Sequence, residues 1–232
     1  MPNWAENVLY VRGEEDELLA FDEAFKGKPA NWPPSEFELI RMTGTDEEKR
    51  KKWKEDYEKL EPSYCFNALM PVPEEVLEKG FSGKRPEEYG LFDGINDPDK
   101  WYDGYTWCIT HWGTKWDVYG NVTCDHAWNG DDFPYSMLCY RFATAWGPPM
   151  QFLSHVAGLF KNLRFIECYA EPGCGGYGQV DWIAGTVISD VQFEDRTPEC
   201  SLFVMENFGY DPEDMYEDED EQEEAMIHLH IS

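Results

Sequence analysis

The chain has 232 residues, 42% apolar and 16% aromatic, enough to bury the core of one or two domains and too apolar for disorder throughout. Its 47 acidic against 19 basic side chains give a formal charge of -28, which repels nucleic acid and anionic membranes and attracts basic proteins. No run approaches the roughly 18 to 20 apolar residues that span a bilayer, and MPNWAENVLY lacks a signal peptide's basic start and long apolar segment, so a cytoplasmic protein without membrane contact is expected.

In chain order, NVLYVRG reads as a strand. Residues 14–26 follow as a helix, with acids in the first turn, Leu18, Phe21 and Phe25 on one face, and Lys26 before a terminating Gly27. Thr45 with Glu48 makes a capping box for a helix over 46–60, whose narrow apolar edge is Trp53, Tyr57 and Leu60. Its KRKKWK run, residues 49–54, concentrates basic charge but lies in a negative field, so a solvated helix face is expected there. This helix belongs to an insertion over about 28–62. Asp97 and Pro98 can open a further helix that carries Trp101, Tyr105, Cys108, Ile109 and Trp112 at helical spacing and stops at Gly113. TKWDVYGNV then switches to period two, with Trp116 and Val118 on one side and Lys115, Asp117 and Tyr119 on the other.

Downstream, SMLCYRFATAW reads as a strand, GPPMQFLSHVAGLF as a helix with Phe152, Val156, Leu159 and Phe160 on one face, and LRFIECYAE as a strand. YGQVDWIAGTVIS reads as one further strand. The sum is an α+β chain with a helix-covered antiparallel sheet. From about residue 190 the chain turns acidic, with eleven acids and no base in residues 206–224, so 190–232 is expected to be a partly disordered acidic extension of a body over 1–189. The last residues, MIHLHIS, alternate and suit a short strand. His228 and His230 invite adventitious metal.

MPNW, FNALMPVPEEV, WCITHWGTKWD, TAWGPP and YAEPGCGGYG, in this order, resemble the Api-like and YubB-like family of plasmid- and phage-borne proteins with a YubB-type ferredoxin-like domain. The resemblance covers roughly residues 1–187 and implies a ferredoxin-like antiparallel sheet with helices on one face. It also implies residence on a bacterial mobile element, and it brings no activity. Ala5 and His111 stand where that family carries cysteine and asparagine, which removes a thiol or metal role at the N-terminus.

No catalytic residue is assigned. Trp112, Lys115, Trp116, Asp117, Arg141, Trp146 and Glu171 are candidates for a tryptophan-rich cleft around 107–117 and 144–149. PGCGGYG lacks the spacing of a phosphate loop. Cys108, His111, Cys124 and His126 match no familiar zinc module, and the seven cysteines contain no C-x-x-C pair, so neither metal nor cofactor is expected. Tyr140, Phe142 and Tyr169 are rings that an exposed sheet could stack on RNA, but the bases near them, Arg141, Lys161 and Arg164, are too few to draw phosphate.

The charge favours an accessory protein that binds a host protein with a basic surface, as a DNA-mimic-like inhibitor of a defence nuclease would. The acids Glu217, Asp218, Glu219, Asp220, Glu221, Glu223 and Glu224 are its interaction candidates. Direct nucleic-acid binding is not expected. Two alternatives are an enzyme or small-molecule binder using the cleft, and a structural module dimerising through a sheet edge. Composition leaves the oligomeric state open.

Overall fold

The computed structural model describes residues 3–82, 101–127, 136–174 and 176–210. Strand β1 (Trp4–Gly13) alternates strictly, Leu9 and Val11 facing one layer and Val8 and Tyr10 the other, so it is covered on both sides. Helix α1 (Glu15–Ala24) follows, with three acids in its first turn, and buries Leu18 and Phe21, with Phe25 just past its end. Lys26–Gly27 is a short strand, β2, that pairs with Ser63–Tyr64, β3, so residues 28–62 leave and rejoin the body at one place.

That inserted segment holds α2 (Glu36–Arg41) and α3 (Asp46–Glu58), each opened by a capping box, Ser35 with Glu38 and Thr45 with Glu48. Helix α3 buries no residue, which agrees with its charged composition. The segment is tied largely to itself. The Trp53 indole N–H donates to the Trp32 carbonyl at 3.0 Å, the Tyr57 hydroxyl to the Pro29 carbonyl at 3.0 Å, and the Lys28 ammonium to the Glu58 carbonyl at 2.7 Å.

Beyond β3 come α4 (Phe66–Leu69), α5 (Glu74–Lys79) and α6 (Gly104–His111). Helix α6 does not take in Trp101, because its start is fixed at Asp103, whose carboxylate accepts the Thr106 N–H at 3.0 Å in a capping box; Asp97 lies outside the described residues. The strand expected from residue 114 begins at Tyr119 instead, as β4 (Tyr119–Ala127). Gly113, at φ 84°, turns the chain out of α6, and the Asp117 carboxylate then bonds backbone N–H groups, so Lys115, Trp116 and Asp117 sit in a turn.

The remaining elements are β5 (Ser136–Ala145), α7 (Met150–Leu159), β6 (Arg164–Glu171), β7 (Gly176–Ile183), β8 (Thr186–Phe193) and α8 (Pro198–Phe208). The single strand expected over 177–189 is a hairpin. Its turn residues Ala184 and Gly185 have φ of 51° and 76°, the two positive values that match a tight turn to strand twist.

The sheet runs β4-β5-β1-β6-β7-β8, antiparallel throughout. Its path β1-α1-β4-β5-α7-β6 is the β-α-β-β-α-β unit of the ferredoxin-like fold, as expected, with residues 26–118 inserted before β4 and β7, β8 and α8 added after it. Helices α1 and α7 cover one face around Phe21, Phe152 and Phe165. The other face has its own cover, where α8 packs Cys200, Phe203 and Val204 on Val8, Cys168 and Tyr177. The expected end of the body at residue 189 therefore falls inside β8. Thr197, which accepts the Cys200 N–H at 3.2 Å, opens α8, and Gly209 at φ 84° closes it.

Candidate functional site

The inserted segment and the turn before β4 face each other across a cleft of ≈ 1390 Å³. One wall is Trp32, Phe37, Trp53 and Tyr57 from the insertion; the other is Tyr105, Trp112, Lys115, Trp116 and Asp117, with Phe81 between them. Trp112 ends α6 with its indole N–H on the Met70 carbonyl at 3.0 Å and its ring edge-on to Phe66 and Trp107. Gly113 is pressed so closely on Gln151 that a Cβ there would collide with the side-chain amide, and the Thr114 hydroxyl donates to the Ala145 carbonyl at 2.9 Å. These contacts hold the turn against the start of α7 and aim the next three residues at the cleft.

Lys115 lays its ammonium 4.3 Å from the Trp116 ring centroid and 5.8 Å from that of Tyr105. Trp116 also packs on Trp4, with centroids 5.9 Å apart. Asp117 accepts from the N–H of Phe66 at 2.6 Å, Val118 at 2.9 Å and Asn67 at 3.4 Å, so it caps α4 from across the chain. Burial raises its pKa to about 6, against three N–H groups that favour the ionised form. Lys115 and Asp117 are thus engaged separately, one by rings and one by backbone. The cleft offers flat aromatic walls with the cations Lys115 and Arg41 and the carboxylates Glu38, Asp56 and Asp117 at its lining, an arrangement suited to binding a ring.

The other candidates lie elsewhere. Arg141 on β5 faces α8 and donates to the Asn207 carbonyl at 2.8 Å, which pins that helix to the sheet. Trp146, at φ 73° and 56% exposed, follows β5, and its backbone N–H donates to the Asn3 carbonyl at 3.0 Å. Glu171 is buried at the end of β6, beside Gly173 and Asn3. The expected 144–149 wall therefore supports the turn from behind and does not line the cleft. Tyr140, Phe142 and Tyr169 face the helices, all three buried, so the sheet presents none of these rings for stacking on RNA. PGCGGYG joins β6 to β7, as expected. The acids Glu217, Asp218, Glu219, Asp220, Glu221, Glu223 and Glu224, with His228 and His230, lie outside the described residues.

Residues 123–229 match the family model described as the ferredoxin-like domain in Api92-like protein. This part of the chain is similar to that domain. The match takes in most of β4 and everything through α8, while β1, α1 and the insertion precede it. The crystal structure of protein api92 from Yersinia pseudotuberculosis aligns with 85% of this chain and 100% of that chain at a TM-score of 0.52 and 10% identity, a likeness of fold alone. No curated protein matches. Among the described residues no helix is long and apolar enough to cross a membrane.

Sequence reading missed a second polar cluster, where β4 and β5 meet α1 and β3. The Asp22 carboxylate is buried and accepts from the hydroxyls of Tyr64 at 2.7 Å and Tyr140 at 2.9 Å and from the Lys26 ammonium at 2.5 Å. Burial pushes its pKa up, but these three donors outweigh that and hold it below the ordinary value. The thiol of Cys124 beside them is pushed up to about 11 by burial. The available signal was the Asp22/Lys26 spacing of four, with a carboxylate next to the core residue Phe21. Cys108 and His111 are apart from this group: Cys108 is in the core, and the His111 ring stacks on Trp107 at 4.4 Å.

Proposed function

We propose that this chain is an accessory protein of a phage or plasmid, acting in the host bacterial cytoplasm, that binds a host protein with a basic face through its own acidic surface. A nuclease of host defence, whose DNA-binding groove the acids would occupy in place of phosphates, is the fitting class of partner. The observation that carries this reading is the distribution of charge. The described residues hold 30 acidic and 16 basic side chains, and residues 211–232 add 10 acidic and none basic. The imbalance is thus a property of the folded body as well as of the chain's end.

Within the body, β8 and α8 support the same reading. Asp190, Glu194, Glu199 and Glu206 are exposed there, and so are Val187, Ile188 and Val191 on the edge strand. Apolar residues in a charged surround are the composition of a protein-binding face. Capture of the tagged full-length chain from bacterial lysate across a salt gradient tests it. A basic, nucleic-acid-handling protein should be retained at low salt and released as salt rises. Changing Glu217, Asp218, Glu219, Asp220, Glu221, Glu223 and Glu224 together to their amides should weaken capture at least tenfold. Undiminished capture by that variant would sink the role of the acids.

The cleft favours a second reading, a binding site or active site for an organic ring. Trp116→Ala and Lys115→Ala should then abolish ligand-induced quenching of tryptophan fluorescence, and biological effect retained in both variants counts against it.

A further inference from the structure

Three metal-ligating side chains from α1 and β4 converge outside the cleft. Cys124 and His126 stand two residues apart on β4, and this spacing puts both on the same side of a strand. That side looks toward α1, where Asp22 projects inward. A carboxylate oxygen of Asp22, the Cys124 Sγ and a ring nitrogen of His126 all lie within 4.8 Å of one another.

The surroundings are built around these groups. Asp22 is held by the hydroxyls of Tyr64 and Tyr140, and Tyr140 is the cross-strand partner of Cys124. Hydrogen bonds of this kind orient a ligand carboxylate. Two hydroxyls, one ammonium and the Cys124 thiol surround the roughly four acceptor positions of this carboxylate, and loss of the thiol proton on binding frees one for a cation. His126 is exposed, so the cluster meets solvent at its ring, and a pocket of ≈ 370 Å³ lies beside Lys26 and Tyr64, two of the residues that bond Asp22.

We propose that Asp22, Cys124 and His126 bind one divalent cation of the zinc class, through one carboxylate oxygen, one thiolate sulfur and one imidazole nitrogen, with a fourth position open to solvent on the exposed His126 side. The donor set makes the choice of metal. Magnesium and calcium take oxygen ligands, a soft monovalent ion takes sulfur, and a mixed oxygen, nitrogen and sulfur set at tetrahedral count suits zinc. On binding, the Cys124 S–H bond breaks, sulfur keeps the electron pair for the metal, and the proton leaves to solvent; His126 binds as the neutral ring. The Lys26 ammonium turns away from Asp22, which its partly exposed, flexible stem permits.

The test uses the full chain carrying His228→Ala and His230→Ala, so that the terminal imidazoles cannot supply the signal. Metal-free protein is titrated with cobalt(II) and then with zinc(II). One equivalent of cobalt should give a thiolate-to-cobalt charge-transfer band that zinc abolishes. Cys124→Ser should remove the band, His126→Ala should weaken binding at least tenfold, and Lys26→Ala should tighten it. His126 is exposed, so its variant keeps the fold and decides the matter even if the others do not. His111→Ala should leave binding unchanged. Absence of the band, its survival in Cys124→Ser, or undiminished affinity in His126→Ala would overturn the site.

Discussion

Glu167, in the middle of β6, is fully buried beneath α7, and neither carboxyl oxygen has a partner among the described residues. Burial raises its pKa well above the ordinary 4.5, so the folded chain holds it neutral while the unfolded chain ionises it. Ionisation thus favours unfolding, and this residue's contribution to stability falls as the pH rises above the ordinary carboxylate value. Glu167→Met, which removes the polar group at similar volume, should raise stability at pH 8 by on the order of 1–3 kcal/mol and by less at pH 4, read from urea unfolding. Asp117 has the same sign over a narrower window, its unfavourable ionisation spreading between the ordinary value of 3.8 and about 6. A carbon-13 titration of its carboxyl should show a midpoint near that upper value, and Asp117→Ala should cost on the order of 1–3 kcal/mol by leaving the N–H groups of Phe66 and Val118 without an acceptor. Neither role could be read in sequence. A period of two or 3.6 says which side of an element a residue occupies, but not what lies opposite. Asp22 meets Tyr64 and Tyr140 across 42 and 118 positions, and the inner edge of Trp53 and Tyr57 was legible without the cleft it walls.

Elements were legible where caps and period agreed. Both hold for α3, while period and flanking residues sufficed for α1 and for the run β5, α7 and β6, and all of these begin and end within a few residues of expectation. The β7–β8 hairpin escaped because its turn is Ala-Gly, and alanine at φ 51° is not a residue that announces such a turn. Helix α8 escaped for a different reason. Thr197, Pro198 and Gly209 mark its ends as clearly as any, but the charge of the region argued for an unfolded extension. The hairpin gives a paired test. Ala184→Gly should relieve the left-handed backbone and raise the melting temperature, by about 1 kcal/mol of stability. Gly185→Ala should lower it, because the new Cβ would lie 3.0 Å from the Gly158 Cα on α7. The opposite order of melting temperatures would show that α7 and the turn are not in contact.

For the molecule as a whole, a net charge of -28 means that compaction works against self-repulsion. Ions screen that repulsion over about 10 Å at 0.1 M, so the melting temperature should rise between low salt and 0.5 M sodium chloride, read by circular dichroism. The same salt should weaken attachment to a basic partner, and these opposite slopes distinguish fold from interface in one buffer series. The ferredoxin-like path was legible at this scale from order alone. The extent of the 28–62 segment was legible too, but the ladder that closes it was not, because β2 and β3 are two residues each and the pairing of Lys26 with Tyr64 leaves no periodic mark.

That small ladder has an architectural consequence. Gly27 and Ser63 face each other as antiparallel partners, so everything between them is a detour that begins and ends at one doorway. An Asn-Gly turn is long enough to close that doorway. A chain so shortened should still melt in a single cooperative transition, at some cost from the bond that Asn67 donates to the Lys28 carbonyl, while one side of the aromatic cleft disappears. If it does not fold, the detour is part of the foundation; if it does, the body is a chassis on which other recognition segments can be mounted at the same two residues.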